Sequence, residues 1–462
     1  MRFIAWLVLA ALGVGISIWA YDSARLAEST PISSGMIIVA RSSSQRFDEP
    51  IPFPSTRAEV VQMPVSGISA MLAMSSGGGG TGGRGMRFQL SEKLIQVSLA
   101  DAGITEKSLA WGTLPRQNRN EVLAGCQVAH QDQCEVAETV YKVTGGLPLD
   151  AALFARSYVL PQGDRTGEHS EEGDASYRPG VLIPLSSEQL TNRPIREQLD
   201  KRFPSKDYDK LTCLPSLAPR AFYASLLGEA ILLLGGSGFL IALYGAGAAR
   251  VRWAILGDPL TELSTHRRLI WGIHLVYFGI YVVMAAFVYR MPDLWNALQA
   301  TIQNSLNGDS STLEFAGKAY LSGNMAWAAL VTFAINFLGG AIAYLTLPSC
   351  IVPGSATVLA GFRAATWGML LAPATVVQAR AMLPHAGVLL LEGEGYILAT
   401  FFGLLLAVYL FRSAPEASVW SRYRRGLAIN LKASLLVALV LAVAAIYESI
   451  EVILMLKAAG RA

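Results

Sequence analysis

Apolar residues in this chain gather into long blocks rather than recurring at a short period. Seven blocks stand out, at residues 4–20, 222–244, 269–289, 325–347, 355–377, about 387–411 and 433–456. Each is roughly 17–25 residues long, the length a helix needs to cross a hydrocarbon core about 30 Å thick. The pattern predicts a multi-pass membrane protein. Between the first and second blocks, about 200 residues of mixed polarity predict a small α+β domain. There, residues 36–40, 60–65 and 181–185 read as strands. Residues 90–102 and 135–144 read as helices, and 186–201 as an amphipathic helix. Residues 75–85 are nearly all glycine and serine, the composition of a flexible linker. Their glycines suggest a phosphate cradle, but no Lys-Ser or Lys-Thr pair follows. The stretch 163–173 reads as a polar loop, and 294–302 as a short interfacial helix near Trp295.

Block 4–20 follows a single Arg2 and reads as a cleaved signal peptide or an uncleaved signal anchor. A cut after Ala20 places Ile18 where a small residue is preferred, so the anchor is expected. Loop charge then orients the chain. Arg250, Arg252, Arg267 and Arg268 lie between the second and third blocks. Arg412, Arg422, Arg424, Arg425 and Lys432 lie between the last two, opposed only by Glu416. Basic loops stay cytoplasmic, and seven alternating crossings satisfy both clusters. The expected fold class is a polytopic α-helical membrane protein with an N-terminal signal anchor and an extracytoplasmic α+β domain. Its divisions are an anchor at 1–21, an extracytoplasmic domain at 22–221, two helices and an external loop at 222–323, and four helices at 324–462. The expected location is the inner membrane of a bacterium.

Composition agrees. The chain is 52% hydrophobic and 15% charged, against about 25% charged for a soluble protein. A net charge of +3, with no basic run interleaved with aromatics, gives no reason to expect nucleic acid. No cysteine or histidine spacing suggests zinc, so no metal and no cofactor is expected. Cys126 and Cys134 bracket a short polar stretch. In an oxidising compartment they could form a disulfide, or they could be two buried thiols. Cys213 precedes the second block, and Cys350 sits in a turn on the reducing side.

Candidate chemistry comes from ionisable groups where lipid makes them costly, on the order of 2.5–3.5 kcal/mol each. These are Arg363, Glu392, Glu394, Glu448 and Glu451, with Asn336 and His274 as polar companions. Glu448 and Glu451, three apart, share a helix face. Two readings follow: a buried polar path for an ion or solute, or ion pairs that only fix helix register. Gly235-Gly236-Ser237-Gly238 matches the serine string of intramembrane proteases, which requires a histidine, His274 or His385, on a neighbouring helix.

The string Pro384-His385 followed by Glu392 reads as a turn opening a glutamate-bearing helix. With Asn324 ahead of 326–347, Gly361 and Gly368 in the next block, Gly403-Leu404 after Glu392, and Glu448 closing the pattern, residues 324–456 resemble the stage II sporulation protein M family. The resemblance implies a non-enzymatic scaffold that recruits envelope partners such as peptidoglycan-remodelling enzymes, with Pro384, His385 and Glu392 as its family-like element. Expected partners are the lipid bilayer and other membrane or periplasmic proteins. The alternatives are a transporter or channel subunit built on the polar cluster and, third, an intramembrane serine hydrolase.

Overall fold

The computed structural model describes residues 2–25, 32–42, 47, 50–62, 93–116, 119–126, 132–136, 139–148, 151–155, 157–162, 177–186, 189–190, 192–204, 206–213, 216–291, 312–412 and 418–458. The linker 75–85, the loop 163–173 and the helix expected at 294–302 lie outside them. The chain divides into an open mixed sheet and a bundle of long apolar helices. Six of these, among the described residues, are long and apolar enough to cross a membrane.

The sheet has ten strands: β1 Gly35–Ala40, β2 Thr56–Gln62, β3 Lys93–Val97, β4 Trp111–Gly112, β5 Glu121–Ala124, β6 Gln133–Val136, β7 Thr139–Gly146, β8 Ser157–Pro161, β9 Tyr177–Pro184 and β10 Tyr208–Cys213. Their order is β10-β1-β9-β2-β3-β8-β5-β7-β4, with β6 beside β7. The β3–β8 and β5–β7 pairs are parallel and the rest antiparallel. Alternation along β1 sends Ile37 and Val39 to one core, with Ile95, Phe154 and Leu182. It sends Met36 and Ile38 to the other, with Ile183, Leu199 and Phe203. Helix α1 spans Arg2–Arg25. Helix α2, Arg193–Arg202, covers the second face through Leu199.

Three expectations in this domain change. Residues 93–97 form a central strand, not part of a helix over 90–102. Leu94 faces one core and Ile95 and Val97 another. A strand buried on both faces reads as a continuous apolar run, which periodicity alone does not separate from a helix. Of residues 135–144, the first two end β6 and 139–144 belong to β7, antiparallel strands in which the β-branched residues Val136, Thr139, Val140, Val143 and Thr144 favour strand. The helix expected over 186–201 is divided: Gln189 and Leu190 are helical behind a Ser186–Gln189 cap, and α2 starts at Arg193, where Asn192 caps it and Pro194 occupies its first turn.

Cys126 and Cys134 are not joined by a disulfide. Cys134 sits opposite Tyr141 of β7, whereas Ala124 is level with Gly146 of that same strand. Five residues of strand separate those levels by about 17 Å, and Cys126 lies beyond Ala124. A disulfide tolerates a Cα separation of about 7 Å at most.

The bundle comprises α1, α3 Pro219–Ala248, α4 Ala254–Thr265, α5 Arg267–Tyr289, α6 Thr312–Leu321, α7 Met325–Ile351, α8 Ser355–Leu370, α9 Val376–Arg412 and α10 Val419–Ala458. Large apolar side chains including Leu7, Val276, Val358 and Leu431 point outward, as lipid solvation requires. Packing reveals the relative direction of two helix pairs. Phe3 meets Phe239 and Ser17 meets Ser225, so α1 runs antiparallel to α3. Gly395 lies against Leu441 and Gly387 against Tyr447, so α9 and α10 are antiparallel. The exposed Arg250, Arg252, Arg267, Arg268, Arg424 and Arg425 consequently collect at the end of the bundle away from the sheet.

Two helix boundaries differ from expectation. Helix α8 has 16 residues, about 24 Å, because Pro373 disfavours helix at the residue before it. The following segment completes the traverse to the sheet-side end. There the Leu217 amide donates to the Ala374 carbonyl at 2.8 Å, and Ser216 bridges Thr375. Helix α9 then starts at Val376, eleven residues before its apolar block. Thr375 and Gln378 form a reciprocal cap, Thr375 N–H donating to Gln378 Oε1 at 3.2 Å and Gln378 N–H to Thr375 Oγ1 at 3.3 Å. Pro384 therefore lies inside a helix, and Pro384-His385 is not a turn. Helix α7 carries a twelve-residue π stretch, Ile335–Thr346, where Gly340 lies under the Tyr396 ring; a Cβ there would be 2.8 Å from it.

The α1–α3 contact generates a test. A Cβ on Gly13 would lie 2.4 Å from the Gly228 carbonyl oxygen, whereas one on Gly15 would meet nothing within 4 Å. Gly13→Leu is expected to cost about 1–3 kcal/mol by overpacking, seen as a lowered unfolding midpoint in detergent. Gly15→Leu should leave the midpoint unchanged. Equal effects would mean that α1 does not pack against α3.

Candidate functional site: a buried carboxyl network

Among the described residues, the buried carboxyl groups of the bundle each meet a hydroxyl, imidazole or guanidinium. Helix α9 organises most of them. Glu392 and Glu394 are two residues apart, which at 100° per residue places them on nearly opposite faces.

Glu392 faces α8. Its Oε1 accepts from Arg363 Nη2 at 3.3 Å and from the Tyr396 hydroxyl at 2.9 Å. Arg363 Nη2 also donates to the Tyr396 oxygen at 2.5 Å. The guanidinium lies 3.8 Å from the centroid of the Tyr396 ring and 5.0 Å from that of Trp367, two rings that meet edge to face, so cation–π attraction replaces part of its lost hydration. The Tyr396 hydroxyl accepts from the base and donates to the acid, which links the two.

Glu394 faces α3 and α5 and is wholly buried. Its Oε1 accepts from the Tyr244 hydroxyl at 2.8 Å, and its Oε2 lies 2.6 Å from His274 Nε2. His274 Nδ1 faces the Ile270 carbonyl at 2.8 Å. A carbonyl only accepts, so this geometry assigns a proton to Nδ1. One further proton is then shared between Nε2 and Glu394, and the pair is neutral overall wherever that proton sits.

The remaining acids lie towards the sheet-side end. Glu451 Oε1 is 3.4 Å from His385 Nδ1. Glu448 accepts from the Tyr320 hydroxyl at 2.9 Å, and that oxygen lies 2.6 Å from Thr332 Oγ1. Burial and the adjacent Glu448 push the Tyr320 hydroxyl well above its ordinary value. Glu448 is also within electrostatic range of Glu392, His385 and Glu451. On α3, Glu229 accepts from the Tyr281 hydroxyl at 2.9 Å, and its other oxygen is buried with no partner.

The residues named from sequence thus fall into two tracks on α9. Arg363, Glu392, Glu448, Glu451 and His385 share one, while Glu394 and His274 form the other. Asn336 joins neither; it is half-buried on the π stretch. Ser237 is buried, and its hydroxyl has no hydrogen-bond partner. Both nitrogens of His274 are occupied, so no Ser237–His274 pair forms. Sequence reasoning missed Glu229, although it lies within block 222–244 and meets the criterion that singled out Glu392. It also missed Tyr244, Tyr277, Tyr281, Tyr320 and Tyr396, which belong to or border the network. A tyrosine in an apolar block carries no distinguishing signal, since its ring suits a helix interface with or without a partner for its hydroxyl.

Among the described residues no group of three His, Cys, Asp or Glu side chains is arranged to hold a metal ion. No protein-family model, curated protein or solved structure matches this chain, so the resemblance to the stage II sporulation protein M family stands on the sequence features alone.

The His274–Glu394 contact predicts unequal outcomes for two substitutions. His274→Ala strands a buried carboxyl group and should cost about 3–5 kcal/mol. In Glu394→Gln the amide can still accept from Tyr244 and donate to His274, and the loss should stay below about 1 kcal/mol. Unfolding of both variants in detergent checks the order; a reversed order would contradict the assigned contacts.

Proposed function

We propose that this protein is a membrane component that moves protons, or a solute coupled to them, through the carboxyl network of its helical bundle. One observation carries the reading. Five carboxyl groups, Glu229, Glu392, Glu394, Glu448 and Glu451, face three bases, Arg363, His274 and His385. Even with both imidazoles charged, two carboxyl groups are left over. An unpaired charge in a bilayer interior costs several kcal/mol, so those two hold a proton or a cation. A bundle built only to fix helix register has no need of unmatched acids.

The layout suits such a role. Seven helical passes alternate between the two ends, the arginine-rich end taking the cytoplasmic side under the positive-inside tendency. The sheet domain then lies on the extracytoplasmic face, and α1 remains attached as a signal anchor packed along α3. His385, Glu392 and Glu394 are spaced along α9 by about 10 Å and then about 3 Å, so donors and acceptors recur through the depth of the bundle. The hydroxyl of Tyr396 and the imidazole of His385 both accept and donate, as a proton relay requires.

A second reading, a non-enzymatic scaffold that recruits envelope partners, is favoured by the sheet domain. The connector after β10 is fastened to the bundle through Leu217–Ala374 and Ser216–Thr375, which fixes where the chain leaves the bundle for the sheet domain.

Reconstitution separates the two. Vesicles containing the full chain and an internal pH dye, given a potassium diffusion potential, should acidify faster than empty vesicles. Glu392→Gln should reduce that rate at least tenfold. A wild-type rate equal to that of empty vesicles would reject proton movement and leave the scaffold.

A further inference from the structure

We propose that Glu229 anchors a binding site for a dehydrated sodium ion between α1, α3 and α9. The site goes beyond proton movement and would stand even if no proton flux were found. Glu229 is 4% exposed. Its Oε1 is satisfied by Tyr281, but Oε2 is buried without a partner. That carboxyl group lines a small cleft with Ser17 and Val14 of α1, Ser225 and Leu232 of α3, and Met382 of α9. The cleft holds roughly one water-sized species.

The chemistry of the lining selects the occupant. Its polar groups are the Glu229 carboxyl and the Ser17 and Ser225 hydroxyls, and the Ser225 carbonyl accepts from Ser17 Oγ at 3.4 Å. All are oxygens, which hard cations prefer, and no thiol or ring nitrogen lines the cleft. One carboxylate matches a single positive charge better than two. The size of the space excludes a hydrated ion or an organic ammonium. The titratable groups around Glu229 are Tyr281 from α5 and His385 from α9; α1 brings only Ser17 and Val14. His385 is within electrostatic range of Glu229 but is turned to Glu451 at 3.4 Å, so Glu229 has no cation in direct contact. A bound sodium ion would supply the charge missing from one of the two unmatched carboxyl groups.

The site also explains a packing detail. Glycines at 13 and 228 bring α1 within backbone contact of α3, and this close approach brings the Ser17 hydroxyl to the α3 backbone beside the cleft. A larger residue at either position would push Ser17 away.

Thermal unfolding of the purified full-length protein in detergent tests the proposal. NaCl, KCl and choline chloride are compared at equal ionic strength and fixed pH. The unfolding midpoint should rise with NaCl by several degrees and saturate, as expected when a ligand binds only the folded state. KCl should act weakly and choline not at all. Glu229→Gln should abolish the sodium response, and Asp258→Asn, at the far end of the bundle, should keep it. If Glu229→Gln does not fold, Ser225→Ala gives the same information, with sodium affinity reduced about tenfold. Equal midpoints in sodium and choline, or a sodium response of wild-type strength in Ser225→Ala and Glu229→Gln, would overturn the site.

Discussion

Carboxyl groups in a medium that does not solvate them constrain everything else in this bundle. In water each would be ionised and hydrated. Inside a stack of apolar helices each needs a donor within hydrogen-bond reach, and that donor comes from another helix or another turn. Glu392 has Arg363 and Tyr396, Glu394 has Tyr244 and His274, Glu448 has Tyr320, Glu451 has His385, and Glu229 has Tyr281. Helices α3, α5, α6, α8, α9 and α10 are tied together through these contacts. The relative rotation of α9 is fixed most tightly, because it presents acids on two opposite faces.

Close helix approach makes those contacts reachable. Backbone atoms come together where glycine removes the side chain, as at Gly13 and Gly228, and at Gly368 against the Tyr281 carbonyl. Gly340 makes room for the Tyr396 ring on which Arg363 rests. Lipid offers no hydrophobic drive for helices to associate, so small-residue packing and buried polar contacts carry the load together. Removing either one weakens the other, since a helix displaced by an ångström or two leaves a carboxyl group without its donor.

Much of the membrane part was legible from block length alone. The seven apolar blocks correspond to helices, and loop arginines gather at one end. What escaped was local. The Thr375–Gln378 cap lies outside the apolar block it serves, so α9 began earlier than hydropathy suggested, and Pro384 fell inside a helix where a turn had been expected. In the sheet domain, Lys93–Val97 was indistinguishable from a helical segment because both its faces are buried. The pairing of Arg363 with Glu392 rather than Glu394 depends on which face of α9 meets α8, and no spacing rule gives that. Of the two readings open for Cys126 and Cys134, the disulfide fails on register, a property of three strands that two cysteines close in sequence do not reveal.

The unmatched carboxyl groups can be observed directly. Infrared spectra of the full-length protein in lipid, in sodium-free choline buffer at neutral pH, report carboxylic acid and carboxylate separately through their carbonyl stretches. A protonated-carboxyl band is expected in the wild type, shifting slowly on exchange into D2O and shrinking in Glu229→Gln and Glu448→Gln. A spectrum with carboxylate bands alone, unchanged by those substitutions, would mean that every acid in the bundle is ionised and paired, and would contradict the charge imbalance on which the functional reading rests.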